Sequence, residues 1–161
     1  RLEAEVLVDA INQVTGSEDE YSSLIPEPFT FLPEGTRAVA LPDGSITSSV
    51  LELLGRPPRD TGLLTERPTR MTAAQRLQLL NSHYVLQKLK TSRKLGDLPK
   101  SGKDPRGVAD DLYLTILSRY PTEHERDKIM AHQTNGKQPP KQWMLDIAWA
   151  LINSPEFLYK H

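Results

Sequence analysis

Four arginines, Arg56, Arg59, Arg67 and Arg70, fall within fifteen residues of one another. A guanidinium is planar, always charged, and presents a fork of donors that grips carboxylate, sulfate or phosphate through two bonds at once. Pro57 and Pro58 stiffen the backbone between the first two, which spaces Arg56 and Arg59 by about 9 Å of polyproline rise. The path leads into the start of a helix, where unsatisfied N–H groups and the helix dipole already favour an anion. Anion binding is therefore the chemistry this group could do. With an acid or base such as Asp60 or His83 beside it, the group would suit a hydrolase or lyase acting on an anionic glycan. The competing role is structural: the arginines would clamp the loop by bonding helix C-terminal carbonyls and the acidic N-terminal segment. The structural role is the one expected first.

Other reactive residue types do not combine into a catalytic device, and no catalytic residue is assigned. The chain has no cysteine, so it holds no disulfide, thiolate metal site or Cys-x-x-Cys-His haem attachment. Histidines stand at 83, 124, 132 and 161. His124 and His132 share a helical face but lie about 12 Å apart along the axis, too far for one metal ion. Ser82 and His83 are adjacent, and neighbours on a helix point about 100° apart, so they do not pair as nucleophile and base. Asp110, Asp111, Glu123 and Glu125 sit in helix first turns, where the dipole favours negative charge. Trp143 and Trp149 lie in the most apolar segment and are expected in the core rather than stacked on a sugar.

The elements that must position these residues are helices. Thr72 and Gln75 have capping-box spacing, so a helix starts at Ala73 and runs to Leu89 as the centre of the fold. Ala73, Leu77, Leu80 and Tyr84 form its main apolar seam, with Leu79, Leu86 and Leu89 on the other side and Arg76, His83 and Gln87 toward water. Asn81 falls inside the main seam and is expected as a satisfied buried amide tying down the Arg-Pro-Pro-Arg loop. Residues 1–15 form a helix with Val6, Leu7, Ala10, Ile11 and Val14 inward and Glu3, Glu5 and Asp9 turned elsewhere, closed by Gly16. Residues 17–47 carry an acidic run and Pro26, Pro28, Pro33 and Pro42, and read as a loop insertion with short extended pieces. Ser49 and Glu52 open a short helix that Gly55 closes.

A basic loop over about 90–104 leads to Asp104-Pro105, an N-cap followed by proline at the first helical position. That helix ends at Pro121. Thr122 and Glu125 cap the next one, which stops at Asn135-Gly136. The last helix follows Pro139-Pro140, is apolar nearly all round, and gives way to a capped final turn at Ser154. The fold class is all-α: about five helices in a compact, bundle-like single domain over 1–161, with the proline-rich loop insertion.

Composition narrows the function classes. Lysine and arginine number 20 against 21 aspartate and glutamate, a net charge of −1, which argues against nucleic-acid binding. Residues 1–34 hold eight acids and one arginine, whereas residues 56–106 hold twelve bases and four acids. The two segments are expected to face each other or to solvate different faces. No apolar run approaches a membrane span. The chain begins inside a helical pattern, so it is expected to be the C-terminal fragment of a longer protein.

Several blocks occur in a distinctive order: Gly55-Arg56-Pro57-Pro58-Arg59-Asp60-Thr61-Gly62, Thr72 to Ser82, Leu112 to Thr122, and Asp146 to Phe157 ending Asn153-Ser154-Pro155-Glu156-Phe157. In these the chain closely resembles the PSD domain, a family of unknown function abundant in planctomycetes and related bacteria. Between the Asp-Thr-Gly segment and the central helix, where that family often carries asparagines, this chain has Arg67-Pro68-Thr69. The resemblance implies a C-terminal module of large, often exported proteins that also carry a cytochrome-associated domain and sometimes a c-type haem segment or sugar-binding module. It further implies an extracytoplasmic setting and a link to polysaccharide use. Upstream domains of the same chain and an anionic glycan are the implied partners. Any haem c would sit elsewhere in the longer protein.

Overall fold

The computed structural model describes residues 2–23, 32–41, 46–56, 72–81, 83–98, 102–136 and 138–159. Arg59, Asp60, Arg67 and Arg70 lie outside the described residues, as does the side chain of Asn81. Among the described residues the structure is all-α apart from one two-residue antiparallel pairing. The chain groups into two compact units, residues 1–13 with 17–81 and residues 14–16 with 82–161.

In the first unit, helix α1 (Ala4–Thr15) buries Ala4, Leu7, Val8 and Ile11. This face is rotated from the expected one: Val8 is inside, while Val6 and Ala10 are only half-buried. Glu5 and Asp9, expected to point away from the core, are each only 6% exposed. Each has a partner there that sequence position does not announce, and a buried carboxylate survives only when so satisfied. The α1 C-terminus closes as predicted, with Gly16 at φ +65° and the amide of Ser17 donating to the Asn12 carbonyl across 3.1 Å.

The insertion is partly ordered. Strands β1 (Ser22–Ser23) and β2 (Ile46–Thr47) pair antiparallel, Ser22 opposite Thr47 and Ser23 opposite Ile46, and a 3₁₀ turn covers Ala38–Ala40. Helix α2 (Ser49–Leu53) follows, capped by the Ser48 hydroxyl accepting from the Leu51 amide, not by Ser49 as the spacing suggests. Its end is a full Schellman arrangement: Gly55 at φ +97° donates to the Glu52 carbonyl and Arg56 to that of Leu51.

Over the stretch expected as a helix from Ala73 to Leu89, the described residues are helical as α3 (Ala73–Asn81) and α4 (His83–Thr91), with Ser82 outside the described residues. The capping box that starts α3 is present in both directions. The Thr72 amide donates to Gln75 Oε1 at 3.1 Å, and the Gln75 amide donates to Thr72 Oγ1 at 3.2 Å. The expected main seam is corrected. Leu77 is 58% exposed and Leu80 42%, while the buried side of α3 carries Gln75 and Leu79. Both sides of α3 are apolar enough to be a core face, and the capping bond to Thr72 lets the Gln75 amide lie on the buried one.

In the second unit the hub is α8 (Pro140–Ile152), which packs against α4, α6 (Pro105–Leu117), α7 (Glu123–Gly136) and α9 (Pro155–Leu158). Its Trp143, Met144, Leu145, Ile147, Ala148, Leu151 and Ile152 are all buried, so it needs partners on nearly every side. Each large aliphatic side chain there contributes about 1.5–3 kcal/mol by leaving water. The Trp143 indole N–H finds the Ile129 carbonyl at 3.3 Å. Helix α6 starts on the predicted Asp104 cap, but it ends at Leu117 with Ser118 left-handed at φ 57°, ahead of Pro121. The basic segment after α4, expected as loop, contains α5 (Arg93–Gly96). Ser92 caps it and also donates to the Thr15 carbonyl at 2.6 Å.

Candidate functional site

Arg56, the one member of the proposed anion-binding set within the described residues, is buried. The Schellman turn at the end of α2 reverses the backbone just before it and directs its side chain inward. Its Nε lies 3.4 Å from Glu5 Oε1, and both side chains are almost wholly removed from solvent. This is the clamp onto the acidic N-terminal segment that the structural role calls for. One helical turn along α1, Asp9 acts in the same way toward the insertion. Its Oδ1 accepts from the Ala38 amide at 2.8 Å and its Oδ2 from the Val39 amide at 3.1 Å, with Arg37 Nε at 3.4 Å. An aspartate from α1 thus supplies the N-cap that the 3₁₀ turn lacks locally. Glu5 and Asp9, four apart, face one way. Nearby, Asn12 receives the Ser17 hydroxyl at 3.2 Å and donates to Asp19 at 3.0 Å, which holds the start of the acidic run on α1. Burial, with Asp19 and Asp9 adding to it, pushes the Tyr21 phenol above its usual range.

In the second unit Arg119 sits between two carboxylates. Its Nε and Nη2 donate to Glu156 at 2.6 and 2.7 Å, and its Nη1 and Nη2 to Glu125 at 2.9 and 2.8 Å. The guanidinium also lies 5.3 Å from the ring centroid of Tyr113. The hydrogen bonds from Arg119, with those from the Thr122 amide and hydroxyl, bring the Glu125 carboxyl down to about 2. Burial raises the Tyr113 phenol, and the Glu125 charge raises it further. The same carboxylates raise Arg119. Two carboxylates against one guanidinium leave the node one negative charge in excess, and with both acids bonded to Arg119 the node joins the α6–α7 turn to α9. A second network, Arg126 with Asp110 at 3.1 Å and Glu123 at 2.7 Å, links α7 to α6. Glu123 lies in the first turn of α7, where it serves a side-chain pair as well as the dipole, whereas Asp110 and Asp111, expected in a first turn, lie beyond that of α6, and Asp110 serves the Arg126 pair instead.

An apolar groove of about 510 Å³ in this unit borders on polar groups. Leu145, Ile147, Trp149, Ala150 and Leu151 of α8 line it, with Leu86, Tyr113 and Ile129. At its rim stand Lys128, His132 and Asp146. Trp149, expected in the core with Trp143, is half-buried on this wall. His132 Nε2 is 3.6 Å from Asp146 Oδ2, an ion-pair distance too long for a hydrogen bond. Among the described residues lining the groove there is no serine, threonine or cysteine. His83 is exposed. Among the described residues no cluster of three or more histidine, aspartate or glutamate side chains is arranged to hold a metal ion, and no helix is long and apolar enough to cross a membrane.

Sequence reasoning did not single out Glu5, Asp9, Arg119 or the groove. Lys128 and His132 stand four apart on α7 beside Ile129, and that spacing was the available signal for the rim. Arg119 had no such signal, because Glu156 is 37 residues away. The chain matches no family model, no curated protein and no solved structure.

Proposed function

We propose that this chain is a docking module of a larger exported bacterial protein and performs no catalysis of its own. The observation that carries this reading is the outward seam of α3, where Leu77 and Leu80 stand three apart on one helix face at 58% and 42% exposure. Paired leucines left in water by the core, beside a buried face of the same helix, suit a surface that another domain covers. The occupant is an upstream domain of the same polypeptide, in the arrangement the PSD resemblance implies. The setting is extracytoplasmic, with a link to redox or polysaccharide use, and any haem c is held by that upstream region. The alternative, a hydrolase or lyase gripping an anionic glycan, would rely on the Arg56 to Arg70 cluster. The buried pairing of Arg56 with Glu5 removes one of those four guanidinium groups from service.

Amide hydrogen exchange over residues 73–81, compared between the isolated chain and the longer protein, tests the reading. Slower exchange in the longer protein, returned to the isolated rate by Leu77→Lys with Leu80→Lys, is the expected result. Equal rates in both contexts would overturn it.

A further inference from the structure

We propose that the groove between α7 and α8 binds an amphiphilic monocarboxylate, with its aliphatic body against Trp149, Leu145 and Ile129 and its carboxylate on Lys128. At about 510 Å³ the groove falls within the ~300–1,000 Å³ range of clefts that enclose small ligands. Its walls come from α4, α6, α7 and α8, and α8 packs against each of the other three, so the shape is in place before a ligand arrives. The lining is aliphatic and aromatic along its length, which favours a flexible hydrocarbon over a sugar or nucleotide.

The rim selects the sign of the ligand's charge. Asp146, the acid of that lining, accepts from Gln142 Nε2 on Oδ1 at 2.7 Å, and its Oδ2 lies 3.6 Å from His132 Nε2, its near cationic-capable neighbour. Lys128, by contrast, pairs with no acid among the described residues. Its ammonium stands at the mouth of an apolar site with no ion-pair partner among the described residues, and a carboxylate on an apolar tail complements both features at once. A cationic amphiphile would bring like charge to Lys128, and a neutral one would leave the ammonium without a counter-charge.

Trp149 makes the proposal directly readable, since its half-buried indole forms part of the wall. Decanoate, decanol and decyltrimethylammonium, each below its aggregation threshold, are titrated into the 161-residue chain while tryptophan emission is followed. The expected result is a saturable response to decanoate, weaker for decanol and absent for the cation, and lost in Trp149→Phe. Lys128→Ala weakens decanoate binding about fivefold, the scale of one exposed charge pair, and leaves decanol unchanged. Circular dichroism of each variant confirms that the helices persist. Equal affinity for all three probes, an unaltered decanoate affinity in Lys128→Ala, or no saturable response would each overturn the proposal. The last of these would leave the groove to a protein segment. The outcome is independent of the exchange test on α3, which lies in the other unit.

Discussion

Arg56 Nε lies 3.4 Å from Glu5 Oε1, with both side chains almost wholly buried, and this pair ties the turn that closes α2 to the first turn of α1. Taking one partner away strands the other charge in a low-dielectric site. Arg56→Met and Glu5→Leu are therefore expected to cost about 3–5 kcal/mol each, whereas the double replacement costs much less because no charge is left behind. Urea unfolding of the four proteins, treated as a double-mutant cycle, reads the coupling directly. Single variants that unfold at the parental midpoint would show the pair to be a solvated contact.

Asp9 satisfies two amides of a turn that begins 29 residues away. Replacing it with alanine leaves the Ala38 and Val39 N–H groups unbonded, at about 1–3 kcal/mol for the buried one. The effect should be local. Proteolysis is expected to nick the segment around Thr36–Leu41 faster, while the second unit, followed through its tryptophans, melts as before. Uniform destabilisation of both units would contradict this.

Gly55 and Gly96 give a contrast within one experiment. Gly55 takes φ +97° at the end of α2, a conformation an L side chain resists, so Gly55→Ala should lower stability by about 1 kcal/mol and loosen Arg56 behind it. Gly96 closes α5 at negative φ, with nothing within 4 Å of an added Cβ. Gly96→Ala should leave stability level or raise it by about 0.4–1 kcal/mol through the unfolded chain. Thermal melts of the two variants should move in different directions. A matching loss in both would mean that chain stiffness, not the left-handed turn, sets the effect.

Local signals in the sequence translated well into structure. The Thr72–Gln75 and Thr122–Glu125 capping boxes, the Asp104-Pro105 start and the Gly16 and Gly55 stops all depend on residues within one turn of each other, and all are present. The face of α3 was not legible. Leu77 with Leu80 and Leu79 with Leu86 are equally good apolar stripes, and periodicity counts stripes without saying which one finds a partner. Nor could charge patterning place Glu5 inside, since its partner stands 51 positions on. The Arg56 clamp was readable only as one of two roles, because a guanidinium suits a buried acid as well as a bound anion. The groove was invisible for a related reason: Trp149 has the composition of a core residue, and only the packing of α7 against α8 leaves it on a wall.

The Arg119 node makes the acid sensitivity of the second unit predictable. Hydrogen bonds from Arg119, then those from Thr122, hold the Glu125 carboxyl at about 2 against an ordinary 4.5. A carboxylate whose folded value lies below its unfolded one stabilises the fold fully above the unfolded value, and that contribution fades as pH falls toward the folded one. The benefit of Glu125 is therefore intact at pH 6–7, begins to fade near 4.5 and is gone near 2. Glu125→Gln removes the charge and the linkage together. Melting temperatures of the parent and Glu125→Gln should differ at neutral pH by the equivalent of about 1–2 kcal/mol, discounted for partial exposure, and should converge between pH 4.5 and 2. The difference should shrink at high salt, as the charge pairing is screened. A gap that stays constant down to pH 2 would mean that Glu125 acts through its capping bonds to Thr122 alone, with Arg119 held by Glu156.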